Sequence, residues 1–204
     1  MIVMIKYLGT HNSGTSSKLV WWQYPFGFFL HPTSRCQTLS IDEQLESNVR
    51  LFNLQVTYYN GEWVFSHGLC IYTGKLYDAI NSMIKYASHE SPIYFQLRLD
   101  NNFFLKHNED KFKELVNDLK EELLFTNVFM TYALIEKTNE KLYEDVKHTY
   151  IGSEHYWSAS WSKLYGKTWL DKIPLPKRHA KKYNKVYIEN NKADYLMLDF
   201  IEYK

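Results

Sequence analysis

Apolar and polar positions along the chain alternate with two different periods, which predict strands and helices in turn. Residues 51–59 alternate with the period of two that is typical of a half-buried strand. The Asn60-Gly61 dipeptide that follows favours a tight hairpin turn into a second strand at residues 63–67. Shorter apolar runs predict the remaining strands at residues 2–8, 93–99, 128–134, 149–156, 185–188 and 195–201.

Helical spacing of apolar residues separates several of these strands. Ser40 and Glu43 form a capping box, which predicts a helix beginning at residue 41. Apolar residues recur at helical spacing over residues 76–87, and Asn108 precedes a further stretch whose apolar residues share one face. Residues 16–38 show no regular period, and we expect an irregular segment there.

The order of these elements predicts an α/β fold. About eight strands with fewer helices are typical of a small, irregular TIM-like β/α barrel, and 204 residues is close to the lower size limit of that fold. We found no repeat and no linker rich in Pro, Gly or Ser, so we expect residues 1–204 to form a single domain. The hairpin at Asn60-Gly61 predicts one departure from a regular barrel.

Bulk properties exclude several classes of protein. A net charge of +1 without long basic runs argues against a nucleic-acid partner. Cys36 and Cys70 are too few for a disulfide framework and lack metal-ligand spacing, so we expect buried thiols. Lys6 interrupts the first apolar run, which argues against a signal peptide, and no run is long enough to span a membrane. We expect a cytoplasmic protein or one peripheral to a membrane surface.

Polar residues that could take part in catalysis or binding lie at or near the ends of the predicted strands, where β/α barrels place their active sites. Two histidines can act as acid and base near neutral pH, and an acid on an apolar strand needs a partner. These candidates are His11, Asn12, Asn53, Gln55, His67, Arg98, Glu154, Tyr156 and Asp199.

Four segments in order resemble the X domain of phosphatidylinositol-specific phospholipase C. They are residues 8–15 (LGTHNSGT), which carry the first histidine, residues 37–45 and 49–56, and residues 65–68 (FSHG), which carry the second. Residues 92–98, 153–156 and 195–201 are similar to later strands of the family. The resemblance is good over residues 5–100 and looser beyond.

The resemblance implies a reaction and a role for each residue. His11 would take the proton from the inositol 2-hydroxyl, which attacks phosphorus, and His67 would protonate the departing diacylglycerol oxygen. Asp199 would orient His11. Asn12, Asn53, Gln55, Glu154 and Tyr156 would contact the substrate, an inositol phospholipid or a related phosphodiester.

Departures from the family pattern indicate whether this chain binds a metal ion. Calcium-dependent members carry acids on the second strand, and metal-free bacterial members carry an Asp and an Arg there, whereas this chain has Asn53 and Gln55. Calcium prefers several carboxylate oxygens, so we expect no metal and no cofactor. Arg98 is the cation placed to hold the phosphate charge, because a guanidinium donates paired hydrogen bonds.

Three alternatives remain beside this interpretation. In the first, the barrel is catalytically impaired and either binds a phosphoinositide or a phosphosugar or has a structural or interaction role. A glycerophosphodiesterase or sphingomyelinase D type of barrel would need metal-binding acids on strand two, which Asn53 and Gln55 do not supply. A Cys-His hydrolase would need an activating base next to Cys36 or Cys70, and the sequence indicates none.

Aromatic residues concentrate in residues 21–29 and again in residues 156–169. We expect most of these rings to pack in the core and loops. In the alternative interpretation some of them form a rim that contacts lipid headgroups, where Trp and Tyr are favoured. Nearby cations would strengthen contact with an anionic surface. These are Lys163, Lys167, Lys177, Arg178, Lys181 and Lys182.

Overall fold

The computed structural model describes residues 7–100, 102, 104–105, 108–133, 156–158, 176–190 and 195–204. Its strands are Tyr7–Thr10 (β1), Val49–Tyr59 (β2), Glu62–His67 (β3), Cys70–Lys75 (β4), Ile93–Leu99 (β5), Val128–Ala133 (β6), Tyr156–Ser158 (β7) and Tyr195–Leu198 (β8). Its helices are Gly27–Ser34 (α1), Ile41–Glu46 (α2), Leu76–Tyr86 (α3), Glu109–Leu123 (α4) and Pro176–Asn190 (α5).

These strands form one sheet with β2 at its centre. Strand β2 pairs in parallel with β1 on one edge and with β5 on the other. Strand β6 continues the parallel sheet beyond β5, and β8 and then β7 continue it beyond β1. The sheet curls into a half-barrel with helices outside, which confirms the predicted α/β class. Closure of the barrel and the extent of one domain over residues 1–204 stay predictions.

The hairpin forms at the predicted turn. Asn60 and Gly61 both have positive φ, 49° and 86°, as the favoured two-residue hairpin turn requires. Strand β3 then runs back antiparallel to β2. It pairs with the second half of the same edge of β2 whose first half pairs with β1, because Val56 pairs with Phe65 on that edge and with Leu99 on the other. This return path brings the end of β3 back toward the end of β1.

The core lies between the outer face of the sheet and helices α3 and α4. Alternate residues of β2 are fully buried on this face, as expected for a strand that is covered by helices. Each such side chain contributes roughly 1.5–3 kcal/mol of transfer free energy. The buried side chains include Phe52, Leu54, Val56 and Phe95 of the sheet and Leu76, Ile80, Met83, Phe112, Leu115 and Leu119 of the helices.

Helix α2 begins at the predicted capping box. The backbone N–H of Ser40 donates to Glu43 Oε2 at 2.7 Å, and the N–H of Glu43 donates to Ser40 Oγ at 3.3 Å. The helices at residues 76–87 and after Asn108 are confirmed as α3 and α4, although the side chain of Asn108 makes no capping bond. Strand β4 was absent from the sequence prediction.

The expectation of an irregular segment at residues 16–38 is wrong for α1. This helix is short, holds Pro32 in its interior and buries only Ser34 completely, so it has no apolar stripe that a periodicity search can detect. The strand predicted at residues 185–188 is also wrong, because these residues belong to α5. Ala180 and Asn184 are buried one turn apart there, and the polar Asn184 hides the helical period.

Other boundaries shift by a few residues. Strand β1 extends to Thr10, and β2 begins at Val49 and not at residue 51. Asp199 directly follows β8, so it lies just outside the strand where it was predicted. Residues 2–6 and 149–155 lie outside the described part of the chain. Within the described ranges no helix combines the length and the apolar character that crossing a bilayer requires.

Candidate active site

Two neighbouring parallel strands place His11 and Asp199 side by side. Strand β1 ends at Thr10 and β8 ends at Leu198, and the next residue of each chain segment carries the functional side chain. The backbone N–H of His11 donates to the carbonyl oxygen of Leu198 at 3.0 Å. The pairing of β1 with β8 therefore fixes both side chains at the carboxyl end of the sheet.

Asp199 holds His11 by a direct hydrogen bond. His11 Nδ1 lies 2.9 Å from Asp199 Oδ1, and Asp199 is buried with 2% exposure. An ionised carboxylate only accepts, so Nδ1 carries the hydrogen and Nε2 keeps its lone pair. The His11 side chain is 21% exposed, so a ligand can reach the ring from the side away from Asp199. Asn184 Nδ2 donates to the carbonyl oxygen of Asp199 at 2.8 Å and fixes its backbone.

His67, at the end of β3, faces His11 across the pocket. The two ring centroids are 6.1 Å apart and the rings are nearly perpendicular. His67 Nδ1 lies 2.7 Å from the carbonyl oxygen of Ser34, so Nδ1 donates and Nε2 is the nitrogen left for chemistry. Burial, and then the charge of His11, lower the pKa of His67 to about 4. The free protein therefore holds His67 neutral at pH 7.

Buried amide side chains beside His11 are joined by hydrogen bonds. The N–H of Asn12 donates to Asn53 Oδ1 at 3.2 Å, and Asn53 Nδ2 donates to Gln96 Oε1 at 2.6 Å. Asn12 adopts the left-handed conformation, with φ of 46°. Among the described residues, Asn12 Oδ1, Gln55 Oε1 and Gln96 Nε2 are buried and have no hydrogen-bond partner. An unpaired buried polar atom costs about 1–3 kcal/mol.

Arg98 lies beside Gln55 on the same face of the sheet. The two residues are register partners on β5 and β2, and each lies two residues beyond the pair of Asn53 and Gln96 toward the carboxyl end of its strand. The charge of Arg98 contributes to the lowered pKa of His67, after burial and the charge of His11. The predicted cation therefore lies within electrostatic range of the second histidine.

Cys36 belongs to the site, which the sequence prediction missed. Its Sγ lies 3.8 Å from His67 Nδ1 and the residue is 1% exposed. The sequence indicated no base next to either cysteine. The structure places His67 beside Cys36, but the nitrogen that faces the sulfur donates to the carbonyl oxygen of Ser34. Cys36 is still no nucleophile, because burial, and then the Asp199 carboxylate, raise the pKa of its thiol well above the usual value. The segment after α1 places Cys36 here, and nothing in the sequence spacing indicates it.

Two buried glutamines hold the loops that carry the site. Gln37 Nε2 donates to the carbonyl oxygens of His11 at 3.0 Å and Leu198 at 2.8 Å. Gln44 Nε2 donates to the carbonyl oxygen of Ser13 at 2.9 Å. The sequence motif at residues 37–45 contains both glutamines but does not indicate these contacts. Glu154 lies outside the described residues, and Tyr156 begins β7, beside β8.

A cavity and an aromatic surface flank the site. The cavity, about 670 Å³, lies between α1 and α5 and has a cationic lining from Arg35, Lys177, Arg178, Lys181 and Lys182. Most rings of residues 21–29 are exposed, including Trp21 at 81% and Phe28 at 82%. The expectation that most of the rings pack in the core and loops is therefore wrong for residues 21–29. Trp22, which donates to Tyr59 Oη at 3.2 Å, is half-buried. Lys163, Lys167 and residues 159–169 lie outside the described ranges.

No family model and no curated protein matches this sequence. Solved structures do match. A mutant phosphatidylinositol-specific phospholipase C from Staphylococcus aureus superposes with a TM-score of 0.62 at 14% identity, over 99% of this chain and 87% of that chain. The fold is that of these bacterial phospholipases. The enzyme from Listeria monocytogenes superposes with a TM-score of 0.53 at 12% identity, over 98% of this chain and 89% of that chain.

A further S. aureus structure, described as concerning modulation of the membrane binding of that phospholipase, gives a TM-score of 0.54 at 12% identity over 99% of this chain and 88% of that chain. Identities this low establish the fold alone. What the pocket does must therefore be argued from its own residues.

Proposed function

We propose that this protein cleaves an inositol phospholipid by acid-base catalysis with His11 and His67 and without a metal ion. The observation that carries the proposal is the pair of histidines 6.1 Å apart, of which one is anchored by the buried Asp199. Two imidazoles at this separation can contact two oxygens of one phosphate group, each at a hydrogen-bond distance of about 3 Å.

In the proposed reaction His11 Nε2 removes the proton of the inositol 2-hydroxyl, and that oxygen attacks phosphorus. The bond from phosphorus to the diacylglycerol oxygen breaks, and His67 Nε2 gives a proton to the departing oxygen. The products are diacylglycerol and a cyclic inositol phosphate. Each proton transfer contributes about 10²- to 10⁴-fold to the rate. Asp199 stabilises the imidazolium that forms at His11.

The surrounding groups support recognition of a polyhydroxylated, anionic substrate. Arg98 is the cation near His67, and the charge that develops on the phosphoryl oxygens requires a donor of this kind. The amide side chains of Asn12, Asn53 and Gln55 are proposed to bind the hydroxyl groups of a sugar alcohol, since amides both donate and accept hydrogen bonds. Glu154 and Tyr156 are proposed as further substrate contacts on the strength of the sequence resemblance.

The lowered pKa of His67 favours a second candidate, a barrel that binds a phosphoinositide or phosphosugar without cleaving it. A general acid must be protonated before it acts, and burial keeps His67 neutral at pH 7 in the free protein. A bound phosphodiester anion would raise that pKa, because a nearby negative charge favours the protonated ring. Cleavage therefore depends on how far the bound substrate raises the pKa of His67.

The exposed aromatic segment supports contact with a membrane. Helix α1 lies at the carboxyl end of the sheet, because Ser34 accepts the hydrogen bond of His67. Phe28 and Phe29 are exposed on this helix, and the cationic cavity adjoins it. Apolar rings beside cations bind anionic lipid surfaces. This arrangement would present the pocket to lipid at the surface of a bilayer.

The test is to incubate the protein with phosphatidylinositol vesicles in EDTA and to follow the phosphorus signal of the products by NMR. The proposal expects a cyclic inositol phosphate from wild type and none from His11→Ala. His89→Ala is the matched control, since His89 is exposed and distant from the pocket in the chain. Binding of inositol phosphate without turnover by wild type would establish the second candidate instead.

A further inference from the structure

Three side chains beside one another at the site present atoms that bind zinc and similar metal ions. His11, Cys36 and Asp199 each offer one ligand atom, and these atoms lie within 4.8 Å of one another. His67 Nδ1 lies 3.8 Å from the sulfur of Cys36. Imidazole nitrogen, thiolate sulfur and carboxylate oxygen are the three kinds of ligand that hold Zn²⁺ in proteins.

We propose that His11, Cys36 and Asp199 bind a thiophilic divalent cation, with zinc as the natural example, and that the bound ion switches off the pocket. The site differs from a calcium site, which requires a set of oxygen ligands. The ion binds His11 Nδ1, whose hydrogen moves to Nε2, and the Cys36 thiol releases its proton to solvent as the thiolate binds. A histidine held in this way is no longer positioned to act as a base.

The separations suit a tetrahedral ion. Bonds of about 2.0–2.3 Å place the ligand atoms of a tetrahedral zinc site roughly 3.3–3.8 Å apart. The nitrogen of His11 and the oxygen of Asp199 are 2.9 Å apart, and no pair within the three exceeds 4.8 Å. Each separation is therefore within about 1.5 Å of the value that zinc requires. Rotation of the Cys36 and Asp199 side chains supplies a change of this size.

Charge also favours a cation at this position. Asp199 and the sulfur of Cys36 are buried side by side, where an uncompensated negative charge is costly. A divalent ion with one carboxylate, one thiolate and a neutral imidazole makes a cluster without net charge. The three protein ligands leave the fourth position of a tetrahedral ion unfilled.

Cobalt(II) titration tests the site directly, because cobalt replaces zinc and a cobalt-thiolate bond gives a charge-transfer absorption band. Wild type should bind one cobalt with this band, and added zinc should abolish it. Cys70→Ser is the matched control, since Cys70 is the other buried cysteine and lies outside the cluster. This variant should retain the band and bind zinc within about threefold of wild type.

Cys36→Ser should lose the band and bind zinc more weakly by at least the roughly 10- to 100-fold that even supporting partners contribute to metal sites. Wild type without a thiolate band, or Cys36→Ser with unchanged zinc affinity, overturns the proposal. If Cys36→Ser does not fold, the band of wild type and its persistence in Cys70→Ser still decide whether Cys36 binds the ion. These readouts use no substrate, so they stand or fall separately from the proposed phospholipase activity.

Discussion

Asp199 Oδ1 accepts a hydrogen bond from Nδ1 of His11 at 2.9 Å, across 188 positions of sequence. The bond exists because β1 and β8 are parallel neighbours whose carboxyl ends coincide. It sets the tautomer of His11, with the hydrogen on Nδ1 and the lone pair on Nε2.

Asp199→Asn tests this bond. The amide can offer a donor where the carboxylate only accepts, so His11 loses both its preferred tautomer and the countercharge for its protonated form. We expect the rate of phosphatidylinositol cleavage to fall by about 10²- to 10⁴-fold, with little change in the unfolding midpoint. Asp118→Asn, on the exposed face of α4, serves as the control. A variant as active as wild type would remove Asp199 from the mechanism.

Arg98 carries the second prediction. If it is the group that holds the phosphoryl charge, Arg98→Ala should lower kcat by about 100-fold or more, whereas Lys at this position should recover part of the loss. Gln55→Arg places a second cation on the neighbouring register position and should raise the rate. Steady-state kinetics on vesicles measures both. Full activity in Arg98→Ala would show that another residue holds the charge.

Chelation provides the third prediction. Asn53, Gln55 and Gln96 offer neutral amide oxygens, which are weak ligands for calcium in comparison with carboxylates. Excess EDTA should leave the cleavage rate within about twofold of its starting value, since no step requires a hard cation. A rate that collapses in EDTA and returns with calcium would contradict the metal-independent mechanism.

His67 makes the stability of the protein depend on pH. Its pKa falls from 6.5 in a model compound to about 4 in the folded protein. Between these values the unfolded chain binds a proton that the folded protein does not, so the free energy of unfolding decreases as the pH falls from 6.5 to 4. The contribution lost over this window is about 3 kcal/mol.

The matched variant for this prediction is His67→Asn, whose amide can still donate to the carbonyl oxygen of Ser34. Urea unfolding at pH 7 and at pH 4.5 should show a smaller pH difference for His67→Asn than for wild type. His89→Asn replaces an exposed histidine and should keep the wild-type difference. Equal pH differences in His67→Asn and wild type would mean that His67 titrates normally.

The aromatic surface gives the last prediction. Phe28→Ser combined with Phe29→Ser removes exposed rings, so the fold should be retained while affinity for anionic vesicles falls by at least about tenfold. Phe125→Ser is the control, because Phe125 is 95% exposed and precedes β6, at the opposite end of the sheet. Sedimentation with vesicles measures partition. Similar losses in both variants would indicate general hydrophobic adsorption and no oriented contact.

The sequence predicted those parts of the fold whose signals are local. The capping box at Ser40, the Asn60-Gly61 turn and the apolar faces of α3 and α4 depend on neighbours within a few residues, and all are confirmed. Helix α5 was missed because the polar Asn184 occupies a buried position of its inner face. Its partner is the backbone beyond β8, a long-range contact that no local period reports.

The candidate site divides in the same way. His11, His67 and Asp199 were identified through the order of motifs, and the structure brings all three together. Cys36 was set aside because its spacing from other ligands in the sequence is uninformative. Its place beside His67 results from the turn after α1, and that helix shows no periodic pattern to predict it.

The pairing of β1 with β8 also has a consequence for biosynthesis. A nascent chain on the ribosome can form the hairpin and helices α2 to α4 before residues 195–204 have been translated. His11 then has no carboxylate partner, and β1 has no neighbour on its outer edge. The pair of His11 and Asp199 therefore forms only after β8 has emerged from the exit tunnel.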